Sequence, residues 1–476
     1  MLARRLLADP GLPNPNPTAS YWQQPHPQNI SEIRSSTLPG QRDVVILGSG
    51  ITGCSVAQTL LEGHASISVT VLEARGLCSG ATGRNGGHVK FNAVTEYAKH
   101  RAQLGPEAAA SLVRFCLAHF PAIASQAGRH GAAEVGEVRS VTALTTFMDK
   151  SLVPDIKSSL AEFEKAFPDL QGQFRLYEGQ DTKQFGLENA AAVLSGPAGA
   201  AWPFRLVNAV FRSLLTQYQE RFSIETFTAA EKILETENKE YPYAIQTPRG
   251  TIHAKHIVHC TEGHVSHLLP ALRGIIWPRR GQMTVQTPGD RIKAFDGKYS
   301  WAFIFRHFFD YVTQNAATGE IFIGGGDLDV DENVSEYLTS VEDDKEMTLN
   351  KIHLRGVLQE VFGTTNSLSE EQPRLKASWS GIMGFSIDGY PVVGKLPKEA
   401  VHRRGGNEWI AAGYGGYGMV NSWLCGQTVA EMVLGQNVTT GMPEPYYISP
   451  ARYAALLKEL DDRVNRASRS GFKALL

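Results

Sequence analysis

The residues that carry the clearest chemistry lie in one short stretch, residues 77–88, with the sequence LCSGATGRNGGH. Ser79 and Thr82 supply hydroxyl and backbone N–H groups that can bind phosphate oxygens, and Arg84 can offset the phosphate charge. Two adjacent glycines near the end of the stretch lack Cβ atoms, so backbone can lie flat against a planar ring there. The stretch therefore predicts a site for a ligand that carries both phosphates and a flat ring.

The elements before this stretch predict how it is positioned. Residues 44–47 form a continuous apolar run typical of a buried parallel strand, and residues 48–53, GSGITG, follow directly with the pattern G-x-G-x-x-G. Residues 54–61 have helical spacing, and a second strand over residues 67–72 ends at Glu73. Together these segments form one complete βαβ unit.

Each part of this unit has a task in binding a dinucleotide. The first glycine permits the tight turn, the second admits the pyrophosphate, and the third lets the helix pack on the strand. The helix N-terminus offers N–H groups and partial positive charge to the phosphates. Glu73 can accept hydrogen bonds from a ribose, and its charge disfavours the 2′-phosphate of NADP.

The acidic residue followed by S-G-A-T-G-R-N-G-G resembles the D-amino-acid oxidase (DAO) type of FAD-dependent oxidoreductases. Within that family the pattern is most similar to the branch of gamma-glutamylputrescine oxidase and its fungal relatives. Near the C-terminus, residues 376–397, KASWSGIMGFSIDGYPVVGKLP, resemble a second family motif, with Ser386 in place of threonine. The resemblance covers most of the chain and implies an FAD cofactor.

The resemblance also implies the fold. We expect an α/β protein with a Rossmann-type FAD-binding domain and a discontinuous, α+β substrate domain built on an antiparallel sheet. The predicted segments are an extended arm (1–40), the FAD-binding domain (41–96, 198–276 and 376–440), the substrate domain (97–197 and 277–375) and a helical tail (441–476). Helices are expected from 97–197 and the sheet from 277–375, where alternating strand patterns flank a Thr-Gly turn.

The predicted cofactor contacts lie in loops that follow strands. In the first half of the chain they are Gly48, Ser49, Gly50, Ile51, Thr52, Gly53, Glu73, Ala74, Arg75, Ser79, Gly80, Ala81, Thr82, Arg84, Asn85, Gly86, Gly87 and His88. In the second half the resemblance implies Ala229, Ala230, Cys260, Thr261, Gly263, Gly384, Gly415, Gly416, Tyr417, Gly418, Met419 and Val420. A purely structural turn is the alternative for the loop at residues 413–418, because glycine-rich strand-to-helix turns are common.

The predicted catalytic residues are His88, Arg280, Trp301 and Trp202. His88 adjoins the cofactor loop, and Arg280 lies in a family-like Arg-Gly-Gln. The two tryptophans belong to an aromatic-rich set, with Trp277, Phe303 and Phe305, that can line an apolar pocket and attract an amine by cation–π contact. The alternative for each aromatic residue is ordinary core packing, since aromatic residues alternate along strands for that reason as well.

The resemblance implies an oxidase of an amine or amino acid. A hydride passes from the amine-bearing carbon to flavin N5, water hydrolyses the imine, and O₂ reoxidises the flavin to give H₂O₂. The alternatives are a dehydrogenase with a quinone or carrier as acceptor, or a flavin-binding redox sensor without turnover. Several members of the family that the chain resembles attach the flavin covalently through a cysteine in the stretch that corresponds to residues 379–394. Residues 379–394 contain no cysteine, so we expect non-covalent FAD.

Composition excludes several other classes of protein. The 46 basic and 48 acidic residues nearly balance, so the protein has no net positive charge that would attract nucleic acid. Five scattered cysteines without a C-x-x-C pair indicate neither a disulfide framework nor a zinc site. The histidines between residues 253 and 267 lack zinc-site spacing, so we expect no metal. We expect a cytoplasmic protein without a membrane span.

Overall fold

The computed structural model describes residues 2–24, 32–293, 295–326, 338–363 and 373–470. Its α-helices span Leu2–Leu6, Ile51–Gly63, Ala93–Leu104, Pro106–Arg129, Val153–Ala166, Pro203–Gln217, Val265–Leu268, Gly289–Lys293, Thr348–Phe362, Lys398–Val401, Ser422–Val433 and Pro450–Ser470. Its strands are β1 (Gln41–Leu47), β2 (Val69–Leu72), β3 (His88–Val89), β4 (Arg139–Phe147), β5 (Arg175–Glu178), β6 (Ala192–Ala200), β7 (Phe222–Glu225), β8 (Lys232–Glu235), β9 (Tyr243–Thr247), β10 (Gly250–His259), β11 (Ile276–Gln286), β12 (Tyr299–Ile304), β13 (Phe309–Gln314), β14 (Ile321–Gly325), β15 (Leu375–Ser386), β16 (Val392–Lys395) and β17 (Glu408–Ala412).

The first sheet has the strand order β16-β17-β10-β1-β2-β7, and the hairpin of β8 and β9 pairs with β10. β17, β10, β1, β2 and β7 run parallel, while β16 is antiparallel to β17. The apolar run of β1 is fully buried, as expected of a parallel strand covered on both faces. The carboxyl ends of the five parallel strands therefore meet at one edge.

The helices Ile51–Gly63 and Ser422–Val433 pack closely against each other beside this sheet. A Cβ on Gly426 would lie 2.7 Å from the carbonyl oxygen of Thr52, so the close approach requires glycine there. The Ser55 hydroxyl donates to the Trp423 carbonyl oxygen at 2.6 Å. This contact joins the predicted first and last cofactor segments, which are more than 350 residues apart in the chain.

The second sheet has the strand order β15-β11-β14-β13-β12-β4-β6-β3, and β5 pairs with β6. All neighbouring pairs are antiparallel except β12 with β4. β3 begins at His88, so the glycine-rich stretch leads directly from the first sheet into the second. The second sheet is thereby placed next to the predicted cofactor loops.

Strand pairing refines the predicted segments at two places. β6 runs through the boundary predicted between residues 197 and 198, and β15 pairs with β11 from Leu375 to Ser386. Residues 376–386, which were assigned to the FAD-binding segment, therefore lie in the second sheet. Segment 97–197 supplies the expected helices and also β4, β5 and β6. The division into domains otherwise stays a prediction, and parts of the predicted arm, substrate segment and tail lie outside the described residues.

Helix Pro106–Arg129 is long and apolar enough to cross a membrane by length and composition alone, and 39% of that window is buried. One of its faces packs against helix Ser422–Val433, where His119 Nε2 accepts the Leu424 N–H at 3.3 Å. Core helices of globular proteins pass the same test of length and composition. The absence of a membrane span stays a prediction.

Candidate active site

The first glycine-rich loop occupies the edge where the parallel strands end. Gly48 has a φ of +101°, and a Cβ on it would lie 2.7 Å from the Cys260 carbonyl oxygen. A Cβ on Gly53 would overlap the Gly48 carbonyl oxygen. These two close approaches are the backbone geometry that the G-x-G-x-x-G pattern predicts. They also bring Gly48 beside Cys260, whose own cofactor contact is implied only by the resemblance.

Glu73 holds this loop in place. Its Oε2 accepts the Ser49 N–H at 3.1 Å and the Ser49 hydroxyl at 2.7 Å, and its Oε1 accepts the Arg75 N–H at 2.9 Å. A carboxylate has about four acceptor sites, so capacity remains for a ribose. The Thr228 N–H bonds the Glu73 carbonyl oxygen at 2.8 Å, which brings Ala229 and Ala230 near this position.

Glu262 joins three of the predicted cofactor segments. Its carboxylate accepts backbone N–H groups from Gly384 at 3.0 Å, Gly413 at 2.9 Å and Tyr414 at 3.2 Å. Burial raises the pKa of Glu262 to about 7, although the three N–H donors act in the opposite direction. The resemblance placed the segment that contains Glu262 on the pyrophosphate side but gave its carboxylate no role, although its place soon after the end of strand β10 was a signal that could have indicated one.

The loop that ends with Tyr417, Met419 and Val420 continues from this junction. The Gly415 N–H bonds the Gly384 carbonyl oxygen at 2.9 Å, so the predicted contacts at 384 and 415–418 lie together. The Tyr417 hydroxyl donates to Glu96 of helix Ala93–Leu104 at 3.0 Å. Val420 is buried and Met419 packs against the core.

Arg84 serves a different purpose from the predicted one. Its guanidinium group donates to the carbonyl oxygens of Ser79 at 2.9 Å, Ser380 at 2.7 Å and Thr18 at 2.8 Å, and to the Thr18 hydroxyl at 3.3 Å. Burial lowers the pKa of Arg84 to about 10. The residue therefore fixes the loop to the N-terminal arm and the second sheet, and this placement does not support the predicted phosphate contact.

Arg75 is engaged in a similar way. Its Nη1 lies 2.8 Å from the Asp343 carboxylate in a buried ion pair and 3.2 Å from the Asn14 carbonyl oxygen. The ion pair links the first sheet to the segment before helix Thr348–Phe362. The Arg75 side chain is thus engaged with other protein groups, and its backbone N–H bonds Glu73.

The N-terminal arm is part of the site, which the sequence analysis did not foresee. Trp22 is buried and stacks on Phe322, with ring centroids 3.8 Å apart and planes 12° apart. Its indole N–H donates to the Asn85 carbonyl oxygen. Gln23 Nε2 donates to the carbonyl oxygens of Ser79 and Gly83, both at 3.1 Å. The arm therefore covers the outer side of loop 79–87.

One face of the second sheet is turned toward that loop. A Cβ on Gly86 would lie 2.9 Å from His88 Cδ2 and 3.0 Å from the Tyr311 ring, so protein packing itself requires a glycine there. His88 Nδ1 lies 2.6 Å from the Ser300 hydroxyl. The strand register places His88, Tyr311, Ser300 and Met283 on this face, which we call the loop face.

Arg280 and Trp301 lie on the opposite face, which corrects their predicted place in the pocket. Side chains alternate along a strand, so Arg280 points away from the face that carries Met283. It is buried and donates to the Glu342 carbonyl oxygen at 3.0 Å. Trp301, together with Phe303, packs in the core under helix Thr348–Phe362. These aromatic residues follow the core-packing alternative.

Trp202 is also a structural residue in this arrangement. Its indole N–H donates to the Trp22 carbonyl oxygen at 2.6 Å, and the Arg205 guanidinium lies 3.5 Å from the centre of its ring. The residue holds the arm instead of lining an open pocket. Of the four predicted catalytic residues, only His88 therefore remains on the loop face.

Lys90 is the charged residue that the sequence analysis missed. It lies two positions after His88, just beyond the end of β3, and its charge acts on His88, which places the two side chains near each other. Among the described residues, neither Lys90 Nζ nor His88 Nε2 has a hydrogen-bond partner, although both atoms are buried. Burial lowers the pKa of Lys90 to about 7, and burial together with the Lys90 charge lowers the pKa of His88 to about 3. Its position two residues after His88 was the signal in the sequence that could have identified Lys90.

The residues at the strand ends fit FAD. Backbone approaches too closely at Gly48 and Gly53 for any side chain, as a pyrophosphate loop requires. The buried Ser79 hydroxyl has no partner among the described residues, which leaves it available to a phosphate oxygen. The five cysteines are buried free thiols. Within the described ranges, no group of three or more His, Cys, Asp or Glu residues could hold a metal ion.

Comparisons with known proteins agree with this geometry. A sequence model of the family described as DAO, FAD dependent oxidoreductase, matches residues 43–432. No curated protein sequence matches the chain significantly. Solved structures with a similar fold include glycine oxidase from Geobacillus kaustophilus, which is 18% identical with a TM-score of 0.66 over 86% of this chain and 99% of that chain.

Two further solved structures extend the comparison. L-proline dehydrogenase from P. horikoshii is 20% identical with a TM-score of 0.66 over 88% of this chain and 99% of that chain. L-amino acid deaminase from Proteus vulgaris, with an insertion deleted, is 18% identical with a TM-score of 0.65 over 89% of this chain and 98% of that chain. These similarities confirm the predicted fold class.

Proposed function

The chain belongs to the DAO family of FAD-dependent oxidoreductases, and on this premise we propose that it is an oxidase of an amine or an amino acid. We further propose O₂ as the electron acceptor, H₂O₂ as a product, non-covalent attachment of FAD and a cytoplasmic location. When bound, FAD accepts a hydride from the carbon that bears the amine. The gamma-glutamylputrescine oxidase branch is the group that the sequence motifs favour.

The observation that carries this proposal is the composition of the loop face. Beside His88 the sheet presents four small apolar residues that form a separate buried cluster, which we call the floor: Val141, Ala143, Ala198 and Ala200. Short side chains at these positions take up little volume above the sheet, next to the loop that leads from the cofactor segments. A small organic substrate fits such a space better than a macromolecule does.

The protein's own groups would orient the substrate and control its protonation. His88 stays neutral at physiological pH because burial lowers its pKa to about 3, so its ring can exchange hydrogen bonds without adding charge. Below about pH 7, the value to which burial lowers the pKa of Lys90, the ammonium group of this lysine disfavours a second cation nearby and so favours the neutral, reactive form of a substrate amine. The apolar floor excludes water from the reacting carbon.

A dehydrogenase is the second candidate, and one observation supports it as well as it supports the oxidase. The solved structure of L-proline dehydrogenase has the same TM-score as that of glycine oxidase, 0.66. The fold therefore supports oxidase and dehydrogenase equally, and only the reaction with O₂ separates them.

The test begins with the purified yellow protein. Acid precipitation should leave FAD in the supernatant and a colourless pellet. Amines and the L- and D-forms of amino acids are then mixed anaerobically with the enzyme, and loss of the flavin absorbance identifies a substrate. Admission of air should restore the absorbance and produce H₂O₂. Bleaching without peroxide would establish the dehydrogenase, and no bleaching by any compound would contradict both candidates.

A further inference from the structure

Three consecutive even-numbered residues place polar side chains along the loop face. His88 pairs with Ala200 across β3 and β6, and Lys90 and Asn92 follow beyond the end of β3 at the same two-residue spacing. Asn92 Oδ1 accepts the Thr145 hydroxyl at 3.2 Å, which confirms that the chain still runs over this face beyond β3. Lys90 therefore lies between His88 and Asn92, beside the floor.

The Lys90 ammonium group lacks the partner that a buried charge needs. Its Nζ is buried, and within the described part of the chain it forms no hydrogen bond. Burial of an unpaired charge is costly, and proteins normally provide a carboxylate or several carbonyl oxygens for it. An anionic ligand at this position would supply the missing acceptors.

His88 adds a second donor at the same place. If the Ser300 hydroxyl donates to Nδ1, the hydrogen of the neutral ring is on Nε2, which is buried and unpartnered. One ammonium group and one ring N–H on the same face match the two oxygens of a carboxylate. The floor beside them offers apolar contact to a side chain.

From this arrangement we propose that Lys90 binds the carboxylate of the substrate, with His88 as the second donor. The substrate is then an amino acid, not a simple amine. This inference rests on the proposed function, because it specifies the substrate class of the same site.

The kinetic test compares amino acids with their decarboxylated amines. The pairs are phenylalanine with phenethylamine and proline with pyrrolidine, and the panel extends to any further amino acid that bleaches the flavin. We expect the wild-type enzyme to prefer the amino acid. Lys90→Met should lower kcat/KM for the amino acid at least 30-fold and change that for the amine less than threefold. Lys90→Arg should recover most of the loss.

The matched control is Lys298→Met, because this lysine is on the surface with a side chain that is 68% exposed. It should leave both substrates of each pair unchanged. Lys90→Gln is made in parallel, so that a folding defect of one variant does not decide the result, and FAD content is measured for every variant.

A binding measurement provides a readout that is independent of turnover. Calorimetric titration of the holoenzyme with phenylacetate should show binding that Lys90→Met and Lys90→Gln weaken at least 30-fold. The neutral isostere phenylacetamide should bind the wild-type and variant enzymes alike. If the variants bound both compounds equally more weakly, or bound both as tightly as the wild-type enzyme does, the assignment of Lys90 would be overturned.

The outcomes also separate this inference from the proposed function. Bleaching by amines in preference to amino acids would overturn the Lys90 assignment and leave an amine oxidase. No bleaching by any compound would overturn the proposed function, whereas selective, Lys90-dependent binding of phenylacetate would still support the anion site.

Discussion

His88 Nδ1 and Ser300 Oγ lie 2.6 Å apart and join the end of the glycine-rich loop to strand β12. This hydrogen bond fixes the plane of the imidazole ring on the loop face. His88→Ala should therefore slow anaerobic flavin reduction while the enzyme keeps its FAD, and Ser300→Ala should have a smaller effect in the same direction. Rapid mixing of each variant with a good substrate measures the effect.

The pH dependence of flavin reduction distinguishes the ionisation of His88 from that of the substrate amine. Burial lowers the pKa of His88 to about 3, so the ring does not titrate between pH 5 and 9. At saturating substrate the reduction rate should rise with pH because the bound amine deprotonates, whereas KM should rise above about pH 7, where Lys90 of the free enzyme loses its proton. His88→Ala should keep both trends at a lower rate. An ionisation that disappears in His88→Ala, or reduction as fast as in the wild-type enzyme, would contradict this role.

The stacked pair of Trp22 and Phe322 predicts that the N-terminal arm supports the cofactor site. Trp22→Ala removes a buried ring that contacts Phe322 and Trp202 and that also bonds loop 79–87. We expect a loss of about 3–5 kcal/mol in the free energy of unfolding and easier release of FAD. Denaturant unfolding and flavin retained after dialysis measure both effects.

Leu12→Ala is the control for this prediction, because Leu12 is on the same arm but 40% exposed. It should change stability by less than about 0.5 kcal/mol. If Trp22→Ala behaved like Leu12→Ala, the arm would be a passive extension.

The sequence could predict the parts of this structure that depend on local pattern. The apolar run of β1, the glycine turn and Glu73 predicted the βαβ unit, because close backbone approach and a helix N-terminus depend on neighbouring residues. The sequence could not predict which face Arg280 and Trp301 occupy, because a shift of register by one residue exchanges the faces of a strand.

Contacts between distant segments were likewise hidden in the sequence. Arg84 binds oxygens of Thr18 and Ser380, and no local pattern relates positions so far apart in the chain. The unpartnered state of Lys90 depends on the whole surrounding fold, whereas its position two residues after His88 was visible. Composition and spacing therefore predicted where the site lies, whereas tertiary packing determines which groups its charged residues contact.

The hydrogen bonds of Glu73 lead to a prediction about how firmly the protein retains FAD. Glu73→Ala removes the acceptor of the Ser49 N–H and hydroxyl as well as the expected ribose contact. The variant should lose FAD on dialysis that leaves the wild-type protein yellow, and its circular dichroism should stay unchanged. Glu73→Gln keeps an acceptor oxygen and should lose less. Full retention of flavin by Glu73→Ala would exclude the ribose contact.

Glu262 predicts a pH dependence of stability. Burial raises its pKa to about 7 from the ordinary value of 4.5, so the folded state binds more protons than the unfolded state between these two values. The stability that this group contributes is therefore present below about pH 4.5 and is lost as the pH rises through 7. Glu262→Gln cannot ionise, so the stability of the wild-type protein relative to this variant should fall over that interval.

The measurement is the melting temperature of the holoenzyme at intervals from pH 4.5 to 8, for the wild-type protein and Glu262→Gln. Glu240→Gln serves as the control, because the Glu240 side chain is 66% exposed, and its difference from the wild-type protein should vary much less with pH. The three N–H groups of Gly384, Gly413 and Tyr414 oppose the effect of burial, since they favour the ionised carboxylate. A difference between wild-type and Glu262→Gln that stays constant, or grows in favour of the wild-type protein as the pH rises, would mean that these N–H groups outweigh burial.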